Sequence, residues 1–221
     1  MDLEAAEVRR AWGRVTGWLE QHAPDVFAAL GGPVDPAAVR AAETRMGLEL
    51  PPGIRQWLAM NDVDAGRRPE GHTALVALGC PDVVPGGGLL LGLADIERVH
   101  LHQTEVASSA DPDCPHWRRE WVPIHAETDG FHGTFVDART GRVGSWSEGN
   151  LPKEGRFPSL AAYFEDVADR LAGAASGEGA PRRAHGRGPG REATERWARA
   201  HGYVVHDRGR ISADIRQPYE G

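Results

Sequence analysis

Apolar residues recur at spacings of three to five over the first stretch of the chain, at Leu3, Val8, Trp12, Val15 and Leu19. That is the period of a helix with one buried face. Pro24 and the cluster Gly31-Gly32-Pro33 interrupt it. Asp35 then precedes Pro36, which predicts a helix with Asp35 as N-cap and proline at the first helical position, where its missing N–H does no harm. Val39, Ala42 and Met46 share one face of this helix, and Gly47 ends it. Leu48–Pro52 leads into a short helix containing Ile54, Trp57, Leu58 and Met60, with Asn61-Asp62 as its end.

Residues 63–87 lose the helical period and are rich in Gly, Pro and Arg, so they read as an irregular excursion around one short strand, Ala74–Leu78. Pro85-Gly86-Gly87-Gly88 reads as a turn before a strand at Leu89–Leu93, because no Gly-Lys-Ser/Thr follows to make it a phosphate loop. Asp95 is expected to cap a helix through Ile96, Val99, Leu101 and Val106, which runs out in the polar Ser108–Cys114 loop. From Trp121 the pattern becomes strand-like. Trp121-Val122-Pro123-Ile124 is apolar and β-prone, and Gly130 and Gly133 are expected to bound a turn. Thr134-Phe135-Val136 alternates towards Asp137, Thr140-Gly141 turns, and Arg142–Trp146 continues as a further strand. Ser159 is expected to cap a closing helix striped by Leu160, Tyr163, Phe164, Val167 and Leu171. Helices, then a meander, then a closing helix predict an α+β domain over residues 1–172, with helices packed on a mostly antiparallel sheet.

Residues 173–191 carry almost no large apolar side chain and cannot offset the entropy of ordering the chain. They read as a flexible Gly/Pro/Arg linker whose ends lie about a couple of tens of Å apart. A small third part, 192–221, follows. With 221 residues, 40% hydrophobic and 26% charged, the composition is that of an ordinary globular protein with room for one medium domain and one small one. No apolar run approaches the roughly 20 residues of a membrane helix, and Met1-Asp2-Leu3-Glu4 lacks the plan of a secretion signal, so no membrane partner is expected and the cytoplasm is the default location. Cys80 and Cys114 form no disulfide framework and read as reduced thiols.

Charge changes the picture more than composition does. The chain carries −7, yet from Pro181 onwards nine arginines face five acids, a balance of +4 that leaves −11 on residues 1–180. A basic tail on an acidic body implies that one part meets polyanion while the other avoids it. Within the tail, Arg208-Gly209-Arg210 sets two long cations around a residue without a side chain. That shape suits the narrow, strongly negative minor groove of A·T-rich DNA, which attracts inserted arginine. The groove offers a degenerate pattern, so such a tip would read composition and width more than a fixed sequence. An ordinary solvated basic loop is the alternative. Local signals agree with a small folded unit: a helix from Ala193 to His201 ends at Gly202, and Ser212 caps a second helix with Asp214 in its first turn. Trp197, Val205, Ile211 and Ile215 would be its small core.

Other chemistry is thinner. His100-x-His102 and Cys114-x-His116, with His125 and His132 beyond, lack HExxH, a paired CxxC or a clear carboxylate partner, so surface or loop histidines are favoured over a metal site and no cofactor is expected. His125, Asp129, His132 and Asp137 could be assembled for hydrolysis, but no Gly-x-Ser-x-Gly elbow accompanies them, and an aspartate at a strand end is as readily a turn residue. No catalytic residue is expected. Trp12, Trp57, Trp117, Trp121 and Trp146 read as core, with one or two exposed tryptophans left to anchor a partner.

Two resemblances bear on these readings. Pro36 with the Glu43–Gly47 helix end, Leu50-Pro51, the helix to Asn61-Asp62, Leu93–Val99, Trp121-Val122-Pro123-Ile124, Asp137 with Gly141, and the Ser159-Leu160 helix together resemble the SUKH superfamily of cell-wall-assembly regulators and bacterial immunity proteins. The family usually has Gly after the Asn-Asp pair, where this chain has Val63. The resemblance implies a non-catalytic protein-binding module, whose partner could be a basic toxin. Arg196-Trp197-Ala198, Gly202-Tyr203, Val205, Arg208-Gly209-Arg210-Ile211, Ala213-Asp214-Ile215 and Tyr219 resemble the C-terminal DNA-binding domain of the Lsr-type actinobacterial nucleoid-associated silencers. That implies a two-helix domain with Arg208, Gly209 and Arg210 entering the minor groove, Arg199 and Arg216 as further DNA-contacting candidates, double-stranded A·T-rich DNA as partner, and the nucleoid as location. Pro218 stands where the family usually has Ala, and a proline inside a helix costs roughly 3 kcal/mol or more, so the second helix is expected to be short.

Overall fold

A computed structural model describes residues 3–61, 63, 80–81, 83–108, 117–127, 130–147 and 150–175, all within one unit, Met1–Ala175. Helix α1 (Leu3–His22) buries Val8, Ala11, Trp12, Val15 and Leu19, while Leu3, its first residue, is 73% exposed and contributes nothing to the stripe. Pro24 does not simply end the helical run. It restarts it as the first residue of a short helix, α2 (Pro24–Ala28). Asp35 caps α3 (Pro36–Met46) as expected, its Oδ1 accepting from the Ala37 N–H at 2.8 Å. Gly47 ends α3 at φ 67°, the left-handed conformation that glycine adopts without a Cβ penalty. The Glu43 carboxylate then ties the α3–α4 connection, accepting from Leu50 N (2.8 Å) and Arg55 Nε (2.7 Å) before α4 (Pro52–Leu58) begins.

The closing helix, α6 (Leu160–Ala175), buries all five residues of its expected stripe and is capped by Ser159, whose Oγ accepts from Ala162 N at 3.2 Å. Phe164 meets Trp12 at 4.8 Å and Trp57 at 5.6 Å between ring centroids, and the two indoles meet edge-on at 5.9 Å. Three helices far apart in sequence, α1, α4 and α6, therefore meet on one aromatic cluster. Tilted and edge-on pairs of this kind add about 0.5–1.5 kcal/mol each beyond the area they bury.

The strands form one six-stranded antiparallel sheet in chain order: β1 (Cys80–Pro81), β2 (Leu89–Leu90), β3 (Trp121–Ala126), β4 (His132–Asp137), β5 (Val143–Ser147) and β6 (Asn150–Phe157). Helix α5 (Leu93–Ser108) lies between β2 and β3 in sequence. Cross-strand register puts Trp121, Phe135, Gly133, Gly144 and Trp146 on one face, where Trp121 stacks on Phe135 (4.1 Å) and Trp117 caps Trp146 (5.3 Å). The other face carries Thr134 and Phe157, and Phe157 meets Tyr163 of α6 at 5.5 Å. Both faces are thus covered, which explains why β3 is buried at five of six positions rather than alternating.

Several expectations change. Strand β2 is only two residues long, because Leu93 already opens α5; Asp95 therefore lies inside the first turn, 1% exposed and paired with Arg98 at 2.6 Å, and is not the cap. Leu101 (40% exposed) and Val106 (50% exposed) fall off the buried face of α5, which runs through Ile96 and Val99. Gly133 is not a turn boundary but a strand residue opposite Trp146, whose ring occupies the space a Cβ would need. Strand β6 was not expected at all: Asn150-Leu151-Pro152-Lys153-Glu154-Gly155-Arg156 is polar and broken by Pro and Gly, and as an edge strand it needs only one bonded side. Ala74–Leu78 and Asp62 lie outside the described residues.

His100, fully buried on α5, joins three elements. Its Nδ1–H donates to the Trp121 carbonyl of β3 at 3.0 Å, and the Met46 carbonyl at the end of α3 also faces the ring. Burial pushes its pKa down from 6.5, with nearby Arg119 adding to the fall and the two carbonyls opposing it. A lowered pKa means that the unfolded chain binds more protons, so stability is full above about pH 6.5 and is lost as pH falls below it. Denaturant melts from pH 7.5 to 5 should show falling stability, with a shallower fall in His100→Gln. In the same assay at pH 7, Phe164→Ala should cost about 3–5 kcal/mol, since it empties the contact shared by α1, α4 and α6.

Candidate functional site

The expected DNA-contacting residues, Arg208, Gly209, Arg210, Arg199 and Arg216, lie outside the described residues, as do the linker, the core candidates Trp197, Val205, Ile211 and Ile215, and Pro218. What carries them is the chain's own local chemistry: the paired cations around Gly209 and the +4 balance after Pro181.

Within residues 3–175 the candidate chemistry resolves into structure. His100 is the interior joint described above and His102 is half-buried on the same helix; Cys114 and His116 lie outside the described residues. His125 on β3 donates from Nε2 to the Gly87 carbonyl at 3.0 Å, and burial, with some help from Arg170, holds its pKa below 6.5. His132 pairs with Glu127 at 3.3 Å. Asp137 is a turn residue: its Oδ1 accepts from Arg139 N (2.8 Å) and Thr140 N (3.2 Å). Asp129 lies outside the described residues. His100, His125, His132 and Asp137 are thus each engaged in local contacts, and no group of three His, Cys, Asp or Glu suited to a metal ion occurs among the described residues. All five tryptophans read as core are buried.

One feature the sequence concealed is the treatment of the Pro85–Gly88 turn. Gly86, Gly87 and Gly88 all have positive φ (105°, 95° and 88°), and the turn is held from both sides, by Arg170 of α6 on the Pro85 carbonyl and by His125 on the Gly87 carbonyl. A Cβ at Gly88 would collide with the His125 ring. Only Gly88 is closely packed; Gly86 and Gly87 are exposed, with open space where a Cβ would stand, and serve the positive φ of the turn. A cleft lies at the other end of the sheet, lined by Phe135, Asp137, Thr140, Arg142, Glu154 and Gly155. No helix among the described residues is long and apolar enough to cross a membrane.

No curated protein matches this chain. A family model does, over the segment that carries the two arginines: residues 189–221 match the Lsr2 DNA-binding domain, so the C-terminal part is similar to an Lsr-type DNA-binding domain, which supports DNA as a partner.

Proposed function

We propose that this protein acts at the nucleoid, holding A·T-rich duplex DNA through a minor-groove tip made of Arg208, Gly209 and Arg210, with Arg199 and Arg216 as flanking contacts. The observation that carries the reading is the coincidence of the family match, residues 189–221, with the Arg-Gly-Arg triplet and the basic end of an otherwise acidic chain. In this proposal residues 1–172 are a non-enzymatic, SUKH-like protein-binding module, residues 173–191 a tether, and residues 192–221 the two-helix DNA-binding domain. The sequence resemblance supports the module, and the α+β fold with its antiparallel sheet is compatible with it.

A single small domain makes few groove and phosphate contacts, so binding should be weak and steep in salt. A multivalent partner bound through the body would raise occupancy without a new DNA contact. The −11 balance on residues 1–180 favours a second reading, in which the body holds a basic partner such as a toxin-like protein and the tail localises the pair. Co-purification of a basic protein that is released by raised salt would support that reading, and retention of none would count against it.

Fluorescence anisotropy on A·T-rich and G·C-rich duplexes tests the DNA reading directly. The wild type should prefer the A·T-rich duplex, and Arg208→Ala/Arg210→Ala should weaken that binding by about tenfold or more. Equal, negligible binding by both proteins would sink the proposal.

A further inference from the structure

The sheet carries a charge asymmetry of its own. Trp121, Asp137, Val143 and Phe157 stand at one end of four adjacent strands, since Trp121 pairs with Asp137, Val136 with Val143, and Val143 with Phe157. Five exposed arginines lie within three positions of that line: Arg118 and Arg119 before β3, Arg139 and Arg142 around the β4–β5 turn, and Arg156 at the end of β6. Only three carboxylates share it, Glu120, Asp137 and Glu154, so this edge is +2 on a body whose overall balance is strongly negative.

Two of those arginines are paired, Arg118 with Glu154 at 3.1 Å and Arg139 with Glu120 at 3.9 Å. Asp137 is occupied by the backbone of its own turn. Arg119, Arg142 and Arg156 have no carboxylate within 4 Å among the described residues. Arg119 has a structural account, because its guanidinium lies against Gly47 at the C-terminus of α3, where the helix dipole favours a cation. Arg142 and Arg156 meet no helix terminus, and yet both are laid down in place. A Cβ at Gly155 would lie 2.9 Å from the Arg142 guanidinium, so this glycine, at φ 66°, leaves room for Arg142 to rest on the backbone of β6. Arg156 sits over the Phe157 ring at 5.9 Å and Arg118 over Trp121 at 5.5 Å. A guanidinium already held in position loses less freedom when it meets an oxyanion than a free one does.

We propose that this end of the sheet is a second DNA-contacting surface, in which Arg142 and Arg156 take phosphates of the duplex held by the C-terminal domain. Four strands at about 4.8 Å spacing make an edge of about 15 Å, and duplex DNA presents one negative charge per about 1.7 Å of its axis, so a row of cations this wide meets several phosphates at once. Duplex DNA is favoured over an acidic protein because the same chain carries a DNA-binding domain, which supplies phosphate at high local concentration. These contacts carry no sequence information; they would orient the body and add to affinity. The inference rests on the DNA-binding reading above.

The test uses the full chain and a labelled A·T-rich duplex, with anisotropy followed across about 50–200 mM salt. Arg142→Gln/Arg156→Gln should lower the slope of log K against log salt by about 1–2 and leave the preference for A·T over G·C intact. Arg10→Gln/Arg40→Gln removes the same charge from exposed positions on α1 and α3 and should leave the slope unchanged. Arg142→Lys/Arg156→Lys keeps the charge and should retain the slope; a loss equal to that of the glutamine pair would make the effect structural and overturn the proposal. A wild type that binds while the glutamine pair shows its slope and affinity overturns this inference and leaves the DNA reading standing. Retention of the wild type but not the glutamine pair on immobilised polyglutamate, with identical DNA binding, would assign the surface to an acidic protein and also overturn it. A wild type that binds neither duplex removes both readings together.

Discussion

Coverage of the sheet on both faces is the constraint from which the rest of the described structure follows, and two glycines make it possible. Gly133 and Gly144 receive the rings of Trp146 and Phe135, and a Cβ at either position would collide with them. Large aromatic side chains can then lie flat on a short, strongly paired meander instead of standing off it. With Trp117 and Trp121 they form one apolar layer, and the exclusion of water there is worth roughly 25 cal/mol for each Å² removed from solvent. The opposite face is left to α6, whose Tyr163 and Phe164 link the sheet to the Trp12–Trp57 cluster. That burial also raises the Tyr163 hydroxyl above its ordinary pKa, so it stays neutral.

Seen this way, the polar residues near the core serve the architecture. His100 ties α5 to the Trp121 carbonyl of β3, His125 and Arg170 hold the glycine turn, and Glu43 organises the α3–α4 connection. Each would look, in isolation, like a candidate for chemistry. Each instead bonds a backbone group of a neighbouring segment. The charged surface is a different matter. A body of −11 repels duplex DNA as a whole, so the DNA contacts proposed above are placed where cations gather, in the C-terminal part and at the arginine-rich end of the sheet.

Helix positions were the most legible feature of the chain. The 3.6-residue period, Asp35 before Pro36, Gly47 and Ser159 are local signals, and they mark α1, α3 and α6 because caps and amphipathic faces act within a turn or two of the chain. The resemblance of the C-terminal part was equally legible, because the Arg-Gly-Arg triplet and its flanking positions are contiguous in sequence. The role of Gly133 and the existence of β6 were not legible, since each depends on a neighbouring strand, Trp146 over Gly133 and β5 beside β6; Asp95 was misplaced because α5 starts at Leu93, three residues earlier than a cap at Asp95 implies.

By itself, then, the sequence determined the helices α1, α3 and α6, where charge separates along the chain, and that Arg208-Gly209-Arg210 falls in a segment similar to the Lsr2 DNA-binding domain. Only the tertiary structure decided which histidines are interior, which glycines admit a ring, and which arginines scattered from Arg118 to Arg156 stand along one edge. The reason is physical. Periodicity and capping are properties of neighbours along the chain, whereas burial, pKa and the clustering of charge are set by strands and helices that meet only when the chain has folded.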